Sequence, residues 1–290
     1  MACSGTALLY GRLGLVNLCQ YSLVGVGGWA ALRTHFAVQP GFLIELLTGG
    51  LVAAAVGVLC ALPALRLRGL ILAVVTLMIA GIFQVVLTVT GFPDGGSGLL
   101  GRTGGAGRRI MERPGFAASD AAYFLLVVTI LIGCFMLIEW HVRGRPGRAW
   151  STMRRDERLA ESLGINVVKY RLWGFALSGF LAGLAGALLA VSVGSLDGRT
   201  FSAAQSILLF ALAVVGGVES WLGAVAAGLL LRAMPSLLAN LGFSGFVSMI
   251  VFGVGLIQAL MTSPDGIAGS LARLRQRALR QWSERARVRS

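Results

Sequence analysis

Charge is scarce in this chain. Only 13% of its 290 residues are charged, about half of the roughly 25% found in soluble domains. A water-soluble globule of this size needs more polar residues to cover its surface, so that class is excluded. Acidic residues number 12, and none lies in the middle of an apolar run. Glu45, Glu139 and Glu219 come closest, each near the end of such a run. A carrier driven by protons through intramembrane carboxylates is therefore poorly supported. Lysine occurs once, as Lys169 after Ile165-Asn166-Val167-Val168. No GxxxxGK[ST] loop exists, and ATP hydrolysis by a Walker mechanism in this chain is excluded. The two histidines, His35 and His141, are expected at opposite membrane faces, too far apart to share a metal or a proton. With no HExxH and no GxSxG, there is no catalytic constellation. The four cysteines, Cys3, Cys19, Cys60 and Cys134, form no CxxC pair. They are read as buried structural thiols rather than a metal site or a disulfide framework.

What is abundant is apolar. Hydrophobic residues make up 56% of the chain, glycine adds 41 residues, and the mean hydropathy is +0.81. Disorder is excluded by the same richness. The chain is expected to be an all-α, polytopic transmembrane bundle of about eight membrane segments, some of them short or broken. The spans are placed near 13–33, 42–62, 69–91, 121–141, 172–194, 205–218, 221–239 and 244–262. These runs are about twice the length of a barrel strand and lack alternation, which argues against strands. Residues 1–11 are apolar but too short to span and lack signal-peptide features. They read as the end of a helix whose start is missing, or as a short re-entrant segment.

The net charge of +13 first suggests nucleic acid, but the basic residues cluster between apolar runs and in the tail, so no nucleic-acid partner is expected. With the 142–171 loop placed in the cytoplasm, 18 of the 25 basic residues fall inside and six outside, in accord with the positive-inside rule. Arg232 lies within a span, where it either snorkels, packs in the bundle or lines a polar path. Residues 1–270 form the transmembrane domain on this reading. Residues 271–290 form a basic cytoplasmic tail that either binds anionic membrane lipid or anchors topology as a disordered segment. The glycines Gly95, Gly96 and Gly98 read as a flexible outer loop. Gly179 and Gly183 form a GxxxG pair, and Ala182, Gly186 and Ala190 line a neighbouring face; both are helix-packing signals.

Two places can carry function. The 142–171 loop holds a helical stretch after Pro146, from Trp150 to Leu163. Trp150, Met153, Leu159, Ala160 and Leu163 form a partial apolar stripe on it, and Gly164 is its stop. It is either a solvated basic loop or the dock for an energy-supplying partner. The second place is a polar path. Glycine-rich, broken helices expose backbone groups to a solute at mid-membrane. Asn17 to Gly28 and Val215 to Ser220 qualify, with Asn17, Gln20, Gly216 and Gly217 as candidates. Thr76 and Gln84 are the polar residues of an otherwise apolar span. Ordinary helix packing is the alternative for all of these.

Residues Glu157 to Asn166 (ERLAESLGIN) resemble the cytoplasmic EAA-type loop of ABC importer permeases. The wider pattern is similar to the branched-chain amino acid permeases, of the LivM-type subunit. Leu62 to Leu70 (LPALRLRGL) resembles that family's signature between two spans, followed by Ala73 to Leu77 (AVVTL). Thr90 to Leu99 (TGFPDGGSGL) and Ser206 to Gly223 (SILLFALAVVGGVESWLG) match two further stretches in order, and Leu15 to Gln20 matches a third loosely. Arg158, Ser162 and Val218 to Ser220 depart from the pattern. The resemblance implies a multi-pass permease of the bacterial inner membrane with a cytoplasmic C-terminus. On that resemblance it would be a transport subunit rather than an enzyme, working beside a second permease, two ATPase subunits that use ATP, and an extracytoplasmic substrate-binding protein. It also implies that Glu157, Ala160, Glu161, Gly164 and Ile165 form the ATPase-coupling element. The cargo would be leucine, isoleucine, valine or another small amino acid or amide. The rival readings are a partner-independent carrier or channel for solutes such as urea or amides, and a remnant that no longer transports.

Overall fold

The computed structural model describes residues 1–38, 40–67, 69–89, 111, 113–194, 196, 200–218, 220–240 and 253–254, without the side chains of 87–88, 221, 231–236 and 238–240. The expected span at 244–262 apart from residues 253–254, the glycine-rich outer loop, the Arg232 side chain, Glu219 and the basic tail lie outside the described residues. Helix is the only extended element among the described residues. The order is α1 (Ala2–Leu8), α2 (Gln20–Val38), α3 (Phe42–Ala61), α4 (Gly69–Val89), α5 (Asp120–Arg143), α6 (Arg145–Arg155), α7 (Glu157–Ser162), α8 (Val167–Val193), α9 (Ala203–Gly216) and α10 (Trp221–Asn240). The fold divides after Phe210 into two compact units. Among the described residues, α3, α4, α5 and α8 are long and apolar enough to cross a bilayer, and α9 is a shorter apolar helix.

The core of the first unit is the trio α2, α3 and α8. Lipid supplies no hydrophobic force between helices, so association depends on close backbone approach, and α8 provides it. A Cβ at Gly183 would run into the Gly49 carbonyl oxygen and Ala53 of α3. One at Gly186 would run into the Val24 carbonyl oxygen of α2. Gly27 of α2 faces the Gly183 backbone in turn. The small-residue faces seen in the sequence thus pack α8 against two helices at once. Asn166 caps α8 by accepting the Lys169 N–H at 2.9 Å. The helix therefore starts five residues before the expected span, because its first turn projects beyond the apolar run.

α5 is fixed to α8 near its N-terminal end. Ser119 caps it by accepting the Ala122 N–H, and the Tyr123 hydroxyl donates to the Leu188 carbonyl at 2.6 Å. Its remaining length exposes Phe124, Leu125, Ile132 and Met136, as expected of a helix facing lipid or another chain. All four cysteines are buried and free of disulfides.

The N-terminal residues are integrated in the bundle. α1 runs into a π-helical turn, Leu9–Leu13, and Leu8, Leu9 and Leu13 are buried. The chain leaves helix at Gly14 and resumes it at Gln20. The expected break across Asn17 to Gly28 is therefore confined to the residues before Gln20, and from Gln20 to Val38 the helix is regular.

Candidate functional site

The 142–171 segment is a folded element with two helices. The sequence predicts one helical stretch from Trp150 to Leu163, but the chain bends at Asp156 (φ −156°, ψ 123°). The cause is local. The Asp156 carboxylate accepts the Arg158 N–H at 2.8 Å and the Leu159 N–H at 3.5 Å, which ends α6 and caps α7. Gly164 stops α7 in the left-handed region (φ +75°). The Ile165 N–H donates to the Ala160 carbonyl at 3.0 Å and the Gly164 N–H to the Glu161 carbonyl at 2.9 Å. That pair is a Schellman closure, which a residue with a Cβ forms only under strain.

The bend splits the apolar stripe. Trp150, Met153 and Ala160 are buried against Val167 and Phe175. Leu159 and Leu163 remain 49% and 65% exposed. Glu161 and Gly164 are exposed and Ile165 is half-buried, lining an open groove of about 360 Å³ together with Asn166 and Val168. The five residues expected to form the coupling element are therefore divided: Ala160 and Glu157 hold the element, whereas Glu161, Gly164 and Ile165 lie at its outer face.

Three polar contacts key this element to the spans. The Trp150 indole N–H donates to the Tyr170 carbonyl at 2.9 Å. Glu157 pairs with the buried Arg171 of α8, whose guanidinium also donates to the Ala64 carbonyl at 3.2 Å, just after α3. Arg154 of α6 donates to the Gly11 carbonyl in the π-turn. That carbonyl is available because the Leu15 N–H bonds the Leu9 carbonyl instead. In the sequence, Arg154 and Arg171 register only as topology charges. Spacing carries no signal for their partners, which lie 143 and 107 residues away.

The polar-path candidates fall into three groups. Asn17, Gln20 and Thr76 come together. The Asn17 amide donates to Gln20 Oε1 at 3.2 Å, and Gln20 Nε2 donates to the Ser178 carbonyl at 3.1 Å. The Ser178 hydroxyl donates back to Gln20 Oε1 at 3.0 Å. Asn17 Oδ1 accepts from the Cys19 N–H and thiol, and the Leu18 N–H donates to the Thr76 hydroxyl at 3.0 Å. All of these side chains are buried. Two of the non-helical N–H groups before Gln20, those of Leu18 and Cys19, are thus satisfied by side chains, the kind of pairing that a helix break inside a membrane protein needs. Ser178 is the member the sequence reading missed; it sits beside Gly179 in a stretch read only as a packing face. Gln84 stands apart, half-buried, accepting the Ala203 N–H at 3.4 Å. Gly216 and Gly217 lie in the second unit, in the turn between α9 and α10. There Gly217 has φ +104°, and a Cβ on Gly216 would strike the Gly223 carbonyl and Ala227.

The fold defines a polytopic helical membrane protein whose 142–171 segment is a folded element held on α8. The chain belongs to the family of the branched-chain amino acid transport system permease component, whose model matches residues 1–260. It is 31% identical over 283 residues to the high-affinity branched-chain amino acid permease protein LivM of Salmonella typhimurium, and equally to that of Escherichia coli. Each alignment covers 91% of this chain and 66% of the relative. Over 156 residues it is 33% identical to the permease protein BraD of Pseudomonas aeruginosa, covering 53% of this chain and 50% of the relative. The chain thus spans slightly less than two thirds of the length of the LivM relatives. No solved structure matches it.

Proposed function

We infer that the chain is a permease subunit of an ABC importer in the bacterial inner membrane. With a second, homologous permease it forms the pathway for branched-chain or other small amino acids. Two ATPase subunits bind and hydrolyse ATP, and an extracytoplasmic binding protein delivers the substrate. This chain holds no cofactor of its own, and its C-terminus is cytoplasmic. The observation that carries this reading is the seating of α6 and α7. A short, capped element presents Leu159, Glu161 and Leu163 outward while its inner face is locked by Trp150, Arg154 and Glu157. A partner pressing on the outer face moves α8 and the end of α3 through Arg171, and the π-turn through Arg154. The π-turn leads directly into the break at Asn17 and Gln20. Closure of a partner ATPase is thereby converted into rigid-body movement at the polar break.

The substrate path is assigned to the break, with Asn17, Gln20 and Thr76 as its nearest polar groups and Gln84 as a further member. Branched-chain cargo is supported by what LivM and BraD are named for. Affinity purification from native membranes in mild detergent tests the assembly. ATPase and second-permease subunits are expected to co-purify. A homo-oligomer without ATPase would overturn the reading in favour of a partner-independent carrier or channel. Competition of leucine uptake by isoleucine, valine, urea and acetamide separates the cargo classes.

A further inference from the structure

We propose that the groove between the start of α8 and the end of α3 is a binding site for one anionic phospholipid. The groove is open and holds about 560 Å³. Val58 of α3 forms one wall, and Leu172, Trp173 and Ala176 of α8 form the other. Asn166 and Lys169 close one end. Both helices are among those long and apolar enough to cross a bilayer, so the groove runs along the depth of the membrane. From Lys169 to Ala176 it descends about 10 Å at 1.5 Å per residue. The order of its lining is that of an amphiphile: a cation and an amide at the water boundary, an interfacial indole one turn deeper, then an aliphatic floor.

Charge selects the headgroup. Lys169 is the only lysine of the chain and is exposed. No carboxylate stands near it on either groove helix. The sequence from Gly164 to Leu196 contains no acidic residue, and the acid of α3 is Glu45 at the opposite end of that helix. Among the described residues its ammonium makes no ion pair. Arg171, two residues on, is turned inward and committed to Glu157 and Ala64. The lysine is therefore the cation that faces the lipid boundary here, where a basic side chain favours anionic headgroups. Trp173 is 49% exposed and packs 5.8 Å from the His141 ring, which also meets Trp140 edge to face. Aromatic rings of this kind mark the membrane interface and would hold the first acyl carbons beside the headgroup. A protein partner in the same groove would bury Trp173 and exclude lipid, which the test distinguishes.

The experiment uses the full-length chain in phosphatidylcholine vesicles containing a minority of phosphatidylglycerol. Bromine is placed on the acyl chains of one lipid or the other at equal mole fraction. The Trp173 contribution to quenching is taken as the difference between the wild type and W173F. Brominated phosphatidylglycerol is expected to quench Trp173 several-fold more than brominated phosphatidylcholine. K169Q should lower that preference about five-fold, the effect of one basic residue near the surface, while K169R should keep it. Equal quenching by the two lipids would reduce the groove to bulk lipid contact and overturn the proposal. Absence of quenching would mean that protein fills the groove, and would overturn it equally.

Discussion

Removal of the Glu157 carboxylate should detach the α6–α7 element without unfolding the bundle. The Arg171 side chain is 4% exposed and that of Glu157 is 19% exposed, so E157A strands a guanidinium that water barely reaches. Losing one partner of a buried ion pair costs about 3–5 kcal/mol, and the partial exposure of Glu157 puts this case near the lower end, about 3 kcal/mol. α7 has six residues, far below the length at which a helix holds itself. The loss therefore falls on its attachment, and 3 kcal/mol is about a hundred-fold in the population of the detached form. R171M should be milder. The orphaned carboxylate can turn to water, and the cost is the bonds to the Ala64 and Leu65 carbonyls, about 1–2 kcal/mol or roughly ten-fold. Hydrogen exchange of the protein in nanodiscs reads both. The amides of Ala160, bonded to Asp156, and Ile165, bonded to Ala160, should exchange about a hundred-fold faster in E157A. The amides in the middle of α8 should be unchanged. Unaltered exchange at Ala160 in E157A, or R171M proving the more disruptive change, would refute the reasoning.

Other perturbations follow from the same contacts. G164P removes the N–H that closes α7 on Glu161 and demands a negative φ where the chain has +75°. It should abolish uptake while membrane insertion, followed by protease protection, stays intact. E161R reverses the charge of an exposed residue on the outer face of α7 and should give the same uptake defect with normal thermal stability. Q20L leaves the Asn17 amide and the Ser178 hydroxyl without acceptors and should cost about 3 kcal/mol in detergent denaturation, against about 1 kcal/mol for S178A. Q84L should raise the KM for uptake if Gln84 lines the path; a wild-type KM would remove it from the path and leave its bond to the Ala203 N–H as its role.

The helical membrane class was legible because hydropathy and run length depend on composition alone. The edges of α3, α5 and α10 fell within two residues of expectation for the same reason. The small-residue faces of α8 were legible as packing, but which helices they would meet was not: Gly183 meets α3 and Gly186 meets α2, and no local pattern names a partner. The bend at Asp156 went unseen because the periodic apolar stripe continues through it. The Asp156 carboxylate, three residues before Leu159, was the available signal. Gly164 as the stop of α7 was readable from residue type. The polar break was readable in part. Asn17, Gln20 and Thr76 are conspicuous as polar residues in apolar surroundings, whereas Ser178 is hidden among glycines and alanines. Contacts spanning more than a hundred residues, such as Arg154 to Gly11 and Arg171 to Ala64, belong to tertiary structure alone.

The central claim, that α7 presents a docking face to an ATPase, is tested most directly by a photo-crosslinking residue at Leu163, which is 65% exposed, with illumination in native membranes. The account predicts one major adduct containing an ATPase subunit, lost in E161R and absent when the crosslinker replaces buried Ala160. Adducts with lipid only, or with a second copy of this chain and no ATPase, would contradict it.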